Sequence, residues 1–89
     1  MRLFEKKVTK NIGSETDDIL LEKLKKALDN YNATLVKEDS IVVGSQEIKF
    51  YDYKIGVDQI KVTVETYVGI SLRGKESVIN KIVNAVDRQ

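Results

Sequence analysis

The sequence contains no cysteine, histidine, proline or tryptophan among its 89 residues. Without cysteine, the chain can form neither disulfides nor thiolate sites, so redox compartment cannot be read from it. Without histidine, it has no side chain whose ordinary pKa lies near neutral pH. Catalytic triads, nucleophile–histidine pairs and ordinary zinc sites are therefore excluded. We expect a protein that is not an enzyme, with no catalytic residue, metal or cofactor.

Long apolar runs and a strong charge bias are also missing. The first ten residues contain no apolar core of signal-peptide length, and no run approaches the roughly 20 residues that span a bilayer. Fifteen basic residues face 14 acidic ones, so the net charge is +1. Such a chain lacks the concentrated positive field that drives non-specific nucleic-acid binding. We expect a cytoplasmic protein with no membrane association, for which nucleic acid is an unfavoured partner.

What the sequence does contain is the composition of an ordinary globular domain. Hydrophobic residues make up 42% and charged residues 33% of the chain, which is too apolar for a disordered protein. No internal repeat, low-complexity tract or Gly/Ser linker interrupts it. We therefore predict a single domain over residues 1–89.

Two segments have the periodicity of amphipathic helices. Ser14 and Asp17 have the spacing of a capping box, and the first helix is predicted to follow it to about Asn30. Its apolar side chains fall within roughly 120° of arc; they are Leu20, Leu21, Leu24, Ala27, Leu28 and Tyr31. The second helix is predicted over residues 75–87, with an apolar arc of about 160°; this arc contains Val78, Ile79, Ile82, Val83, Ala85 and Val86.

The remaining segments predict strands. Residues 2–9 form a possible first strand, residues 32–46 two short strands about a turn at 38–40, and residues 46–55 a further strand. From Ile60 to Leu72, apolar and polar residues alternate over 13 positions, the period of a half-buried strand. We predict one long strand there, bent at Gly69, with Thr66 on its core face.

The predicted order is therefore β-α-β-β-β-β-α. Two amphipathic helices and one half-buried sheet form a two-layer α+β sandwich. The antiparallel sheet has four to five strands, and both helices pack on one face of it.

The stretch KFYDYK at residues 49–54 alternates aromatic rings with charge, and its meaning depends on hairpin register. If residues 56–58 form a three-residue loop, Tyr51 and Tyr53 lie on the outer face. That face would also carry Lys49, Lys61 and Tyr67. These five residues would then form a stacking surface for single-stranded nucleic acid or for a protein partner.

A two- or four-residue loop instead turns both tyrosines into the core. This register opposes Lys54 to Lys61 and needs a bulge near Phe50. At about 25 cal/mol per Å², burial of the two rings outweighs the like-charge cost by several kcal/mol. We therefore favour it, with the following pairs: Ile55 with Ile60, Tyr53 with Val62, and Tyr51 with Val64.

A second candidate site lies where the long strand meets the second helix. Arg73, Gly74 and Lys75 precede a helix N-terminus, where free N–H groups and two cations could hold an anion. The alternative, which we favour, is a plain strand-to-helix turn in which Gly74 supplies backbone freedom.

Three functions fit these features. The favoured one is a non-enzymatic interaction module that self-associates through its sheet as a homodimer, because no proline guards a sheet edge. The first alternative is a nucleic-acid-binding domain that uses the aromatic and basic residues named above. The second is a small-ligand or lipid site between the helices and a curved sheet; its predicted lining is Leu24, Leu28, Ile82 and Val86.

Overall fold

A computed structural model describes residues 6–89 as a five-stranded antiparallel sheet with two helices packed on one face. The strands lie side by side in the order β1-β5-β4-β3-β2. The predicted α+β class and the element order β-α-β-β-β-β-α are confirmed. The elements are β1 (Lys7–Gly13), α1 (Asp18–Asn30), β2 (Thr34–Val43), β3 (Gln46–Ile55), β4 (Asp58–Glu65), β5 (Gly69–Lys75) and α2 (Glu76–Asp87).

Helix α1 begins later than the capping-box spacing predicts. Its N-cap is Asp17, whose Oδ1 accepts a hydrogen bond of 3.0 Å from the Leu20 N–H. Ser14 instead forms the preceding turn, where its Oγ accepts from the Thr16 N–H and its carbonyl accepts from the Asp17 N–H. The prediction that Ser14 opens the box is therefore wrong, because its acceptors are used by the turn itself.

Helix α2 lies within one residue of its predicted bounds. Its N-cap residue, Lys75, makes no side-chain capping bond, but the first helical N–H, that of Glu76, donates to the Lys6 carbonyl at 3.0 Å. The buried side chains are Val78, Ile79, Ile82 and Val86. Because most of these are β-branched and poor helix formers, tertiary packing rather than propensity holds α2 in place.

The predicted single strand over residues 60–72 is wrong, since a turn at residues 66–68 separates β4 from β5. The two strands form a hairpin in which Glu65 lies opposite Gly69 and Val64 opposite Ile70. A three-residue connection keeps even-numbered residues on one face in both strands, so the alternation passes through the turn unbroken. The turn itself requires Tyr67 at φ 70°, a conformation that few non-glycine residues adopt. Thr66 consequently lies in the turn rather than on a strand.

Two further strand assignments differ from the prediction. The two strands predicted within residues 32–46 are instead the single strand β2, with a bulge between Leu35 and Lys37. The acidic residues that suggested a turn pair with β3 instead. The first strand is Lys7–Gly13 rather than residues 2–9, and residues 2–5 of that prediction lie outside the described residues. Two predicted strands are the single strand β2, and one predicted strand is the hairpin of β4 and β5. The two differences cancel, so the element order is unchanged.

The β3–β4 hairpin has a two-residue loop, which turns the tyrosines toward the helices as the favoured register predicts. The individual pairs differ from that register by two positions, with Tyr53 opposite Ile60 and Tyr51 opposite Val62. Lys61 lies opposite Asp52, so the predicted clash with Lys54 does not occur. The bulge predicted near Phe50 is absent from this pairing. Ile48, which that bulge would have turned toward the core, lies opposite Glu65 on the outer face.

The core lies between the two helices and the middle of the sheet, and coverage of the sheet decreases from one edge to the other. Strands β4 and β5 have fully buried side chains, β3 has only partly buried or exposed ones, and all ten residues of β2 are exposed. The helices thus leave β2 uncovered and β3 only partly covered on their side of the sheet. The buried cluster is Leu24, Ala27, Leu28, Ile60, Val62, Ile70, Leu72, Val78, Ile79, Ile82 and Val86.

Candidate functional site

A groove of about 570 Å³ runs between α1 and the uncovered, helix-side face of β3. Volumes of 300–1,000 Å³ are typical of ligand sites in proteins. The groove is open toward β2, where no side chain is buried. Its lining is Glu15, Leu21, Leu24, Lys25, Leu28, Leu35, Glu38, Glu47, Lys49, Tyr51, Tyr53, Val62, Val64 and Thr66.

Helix and strand periodicities together produce this lining. Leu21, Lys25 and Leu28 are spaced three and four residues apart, so they form one ridge along α1. Alternate residues of β3 point to the same face, which brings Tyr51 and Tyr53 opposite that ridge. Both tyrosines pack against the core without being fully buried. The groove therefore has two apolar walls, one of leucine and one of tyrosine.

Charged groups surround the apolar walls. Lys49 Nζ lies 3.9 Å from Glu47 Oε1, whereas Lys25 forms no ion pair among residues 6–89. Glu15 accepts a hydrogen bond from the Tyr67 N–H at 3.1 Å, which ties the start of α1 to the β4–β5 turn. Three carboxylates and two ammonium groups line the groove, and a further carboxylate, that of Asp29, lies close enough to influence Tyr53.

Burial raises the pKa of Tyr53 above its usual value of 10.0, with smaller contributions from Tyr51, Asp29 and Glu38. The folded state therefore holds the phenol proton more tightly than the unfolded chain does. This contribution to stability is fully present below pH 10 and is lost as the pH rises through the folded-state pKa. We expect wild-type protein to lose more stability above pH 10 than Tyr53→Phe, as measured by urea unfolding across alkaline pH.

The matched control is Tyr67→Phe, which removes the same hydroxyl from a side chain that is 78% exposed. This variant should follow the wild-type pH dependence. Parallel alkaline losses in wild-type protein and Tyr53→Phe would contradict the assignment.

The second exposed feature is the open edge of β2. Two features interrupt the edge up to Ser40: the bulge before Lys37 and the hydrogen bond of 2.8 Å from the Ser40 N–H to Asp39 Oδ1. The last three residues have no such device: Ile41, Val42 and Val43 are 47%, 69% and 62% exposed. An exposed apolar edge of this kind is available for pairing with another strand.

The five residues of the predicted stacking surface do not share one face. Lys49, Tyr51 and Tyr53 line the groove on the helix side. Lys61 lies on the opposite face, 4.0 Å from Asp52 Oδ1 and 5.7 Å from the centre of the Phe50 ring. Tyr67 lies in the β4–β5 turn. The structure thus brings three of the five together.

The predicted anion site has its polar groups engaged within the protein. Arg73 Nη1 donates to Thr9 Oγ1 at 2.8 Å, and Lys75 Nζ lies 2.9 Å from Asp58 Oδ1. A Cβ at Gly74 would lie 2.9 Å from Ile60 Cγ2 and 3.1 Å from the Gln59 carbonyl. Close packing, rather than the predicted need for backbone freedom, therefore explains the glycine.

The predicted void between the helices and the sheet is only half correct. Leu24 and Leu28 line the groove, but Ile82 and Val86 are buried away from it in the core. Leu35 and Lys25 also line the groove, and neither was among the predicted lining residues. Lys25 lies three residues before Leu28, so helical spacing could have indicated it. No local signal marks Leu35, because its position depends on the order of the strands.

Other classes of site lack support in the described part of the chain. Residues 6–89 contain no group of three or more side chains of the metal-binding types that could hold an ion. Within the same residues, neither helix is long and apolar enough to cross a membrane. Comparison with known protein families, with characterised proteins and with solved structures finds no match to this chain.

Proposed function

We propose that this domain is a non-enzymatic interaction module that self-associates through the open edge of β2. The observation that carries the proposal is the exposure of all ten β2 residues at the end of the sheet. Five of them are apolar, and they account for half of the exposed large hydrophobic side chains recorded for residues 6–89. Exposed apolar side chains beside unpaired backbone groups favour strand addition.

The opposite edge of the sheet is less suited to pairing. Strand β1 has seven residues, two of them lysines, and a bulge disturbs its register between Asn11 and Gly13. Short edges, lysine and bulges are the devices that normally prevent edge pairing. Strand β2 has comparable devices only up to Ser40, so residues 41–43 form the proposed pairing segment.

Charge selects the register of the paired strands. An antiparallel pair centred on Asp39 would place the two Asp39 carboxylates directly opposite each other, which is destabilising. A pair centred on Val42 places Ile41 of one copy opposite Val43 of the other and keeps the acidic halves apart. The two-fold axis is then perpendicular to the sheet, and both copies contribute to one ten-stranded sheet.

The proposed interface is small. Only the second half of β2 overlaps with its counterpart, so the buried area falls below the 1,200–2,000 Å² of stable, specific complexes. We therefore expect a concentration-dependent monomer–dimer equilibrium rather than an obligate dimer.

Val42→Lys should abolish the dimer, because the two introduced lysines would face each other across the two-fold axis. The matched control is Val57→Lys, the same chemical change at a side chain that is 91% exposed in the β3–β4 loop. We expect wild-type protein and Val57→Lys to approach twice the monomer mass as concentration rises in sedimentation equilibrium, and Val42→Lys to stay monomeric.

Two results would refute the proposal. The first is a wild-type chain that stays monomeric at the highest attainable concentration. The second is a dimer whose affinity is unchanged in Val42→Lys, which would locate the interface elsewhere. Circular dichroism should show that both variants keep the fold, because both side chains are exposed.

The nucleic-acid alternative has less support. A stacking surface for single strands combines aromatic rings with a positively charged groove. Here the rings of Tyr51 and Tyr53 line a groove bordered by more carboxylates than ammonium groups, and Lys61 lies on the other face of the sheet. The backbone phosphates of a nucleic acid would therefore meet an unfavourable field beside the rings.

A further inference from the structure

The groove has the dimensions of one missing helix. Helices α1 and α2 bury residues of β4 and β5, but on the same face β3 is only partly covered and β2 is exposed. Two strands at a spacing of about 4.8 Å are about 10 Å wide, which is the diameter of a helix with small side chains. The sheet thus has room for one more helix beside α1.

The length of the groove matches a helix as well. Its lining follows β3 from Glu47 to Tyr53, about 20 Å at 3.3 Å per residue. A helix of about 13 residues has that length, and α1 itself has 13. The lining is also apolar on both long walls, through Leu21 and Leu28 on one side and Tyr51 and Tyr53 on the other.

The open side of the groove argues against a small molecule as its occupant. Small-ligand sites bury 70–90% of the ligand surface. Here the β2 side contributes Leu35, which is 44% exposed, and Glu38, which is exposed as well, so a small ligand would remain in contact with solvent along its length. A helix with one apolar and one polar face needs burial on one side only.

Charge indicates which helix would fit. Three carboxylates, Glu15, Glu38 and Glu47, line the groove against Lys25 and Lys49. A fourth, Asp29, lies close enough to influence Tyr53. Of the two lysines, Lys49 already lies near Glu47. Lysine or arginine on the flanks of an incoming helix would therefore be attracted, and the two tyrosine rings offer faces for cations.

We propose that this groove binds a basic amphipathic helix of a partner protein, with the apolar face of that helix between α1 and β3. The site goes beyond the proposed self-association and does not depend on it, because edge pairing uses the backbone of β2 rather than the helix-side face of β3. The domain would then be a scaffold with two separate binding surfaces.

Two synthetic peptides of about 13 residues test the proposal. Both carry the same leucine stripe at helical spacing, and their polar faces contain only lysine in one and only glutamate in the other. We expect the lysine peptide to bind at least about tenfold more tightly by fluorescence anisotropy, a difference of about 1.4 kcal/mol. In NMR spectra it should shift the amide resonances of Tyr51, Tyr53 and Leu28.

Matched variants locate the binding. Leu35 lines the groove, whereas its neighbour Val36 does not and is 59% exposed at the β2 bulge. Leu35→Ser should weaken binding of the lysine peptide at least about fivefold, and Val36→Ser should leave it unchanged. Glu38→Lys should reduce the preference for lysine over glutamate, since it converts a border carboxylate to a cation.

The experiment separates this site from self-association. The lysine peptide should bind wild-type protein equally tightly below and above the concentration at which the chain dimerises, and it should do so even if the wild-type chain proves monomeric. Loss of peptide binding on dimerisation would overturn the independent site. Failure of both peptides to bind, or equal affinity for both, would overturn the basic helix as occupant. So would saturable binding of laurate that shifts the same resonances without any binding of peptide, which would identify a lipid site.

Discussion

Replacement of Gly69 by alanine is expected to destabilise the domain by about 3–5 kcal/mol, because two penalties combine at this residue. Gly69 has φ 112°, outside the region that L-residues adopt readily. A Cβ there would also collide with the Gly13 carbonyl oxygen and lie 3.1 Å from Asn11 Nδ2. Because the obstructing atom belongs to the backbone, a change of side-chain rotamer cannot relieve the collision.

The collision would disturb the connection between β1 and the β4–β5 turn. Asn11 Nδ2 donates to the Val68 carbonyl at 2.9 Å, and Asn11 Oδ1 accepts from the Gly13 N–H at 3.1 Å. This side chain thus links the bulged end of β1 to the turn before β5. A displaced Gly69 would separate the two, which is why we expect a cost beyond that of local backbone strain.

Gly56→Ala provides the matched control. Gly56 also has a positive φ, of 61°, but a Cβ there would meet nothing within 4 Å. Its alanine variant should lose only about 1–2 kcal/mol, the cost of a left-handed alanine. Urea unfolding of both variants measures the difference. Equal losses would mean that backbone strain alone accounts for Gly69 and that the close approach of β1 is unimportant.

The helices were predictable from sequence because their burial follows a local rule. Side chains at intervals of three and four residues must share a face, so the arcs containing Leu28 and Ile82 identified the core sides of both helices. The same reasoning could not locate the start of α1 to the residue, since Ser14 and Asp17 are both competent caps. Only the turn that uses the acceptors of Ser14 decides between them.

The hairpins were less predictable than the helices. The alternation of apolar and polar residues shows which face of the sheet each residue occupies, but it does not show where the chain reverses direction. A turn that pairs Val64 with Ile70 keeps the same parity on both sides, so the sequence of β4 and β5 reads as one strand. Proline or asparagine–glycine would have marked the turn, but Tyr67 adopts the positive φ instead. In the β3–β4 hairpin, the alternation predicted correctly which face of the sheet the tyrosines occupy. It did not predict their partners, which differ from the predicted pairs by two positions.

The candidate groove depends on strand order, which no local pattern encodes. Strand β1 pairs with β5, at the far end of the chain, and this places β2 at the opposite edge of the sheet. Had β1 paired with β2, Leu35 would lie in the middle of the sheet and the groove would not exist. The sequence could therefore predict that the tyrosines lie on the helix side of the sheet. It could not predict that they lie beside the exposed edge strand β2.

Ile82→Ala is expected to destabilise the domain by about 3–4 kcal/mol. The side chain is fully enclosed, with 0% exposure, between α2 and the central strands. The substitution removes three carbon atoms and leaves a cavity that rigid neighbours on β5 and α2 can fill only in part. Leu24→Ala should cost less, about 2–3 kcal/mol, because Leu24 also lines the open groove, where rearrangement or water can relieve part of the cavity cost.

Ile19→Ala is the matched control, since it makes the same chemical change within a helix at a side chain that is 67% exposed. There the removed atoms are mostly in contact with water, and alanine is the better helix former, so stability should change by less than about 0.5 kcal/mol. Urea unfolding of the three variants gives the order Ile82, Leu24, Ile19 if the core lies between α2 and the sheet. A loss below about 0.5 kcal/mol at Ile82 would contradict the packing of α2. A loss at Leu24 equal to that at Ile82 would mean that the groove wall cannot relax, and the groove would then be too rigid to adapt to an incoming helix.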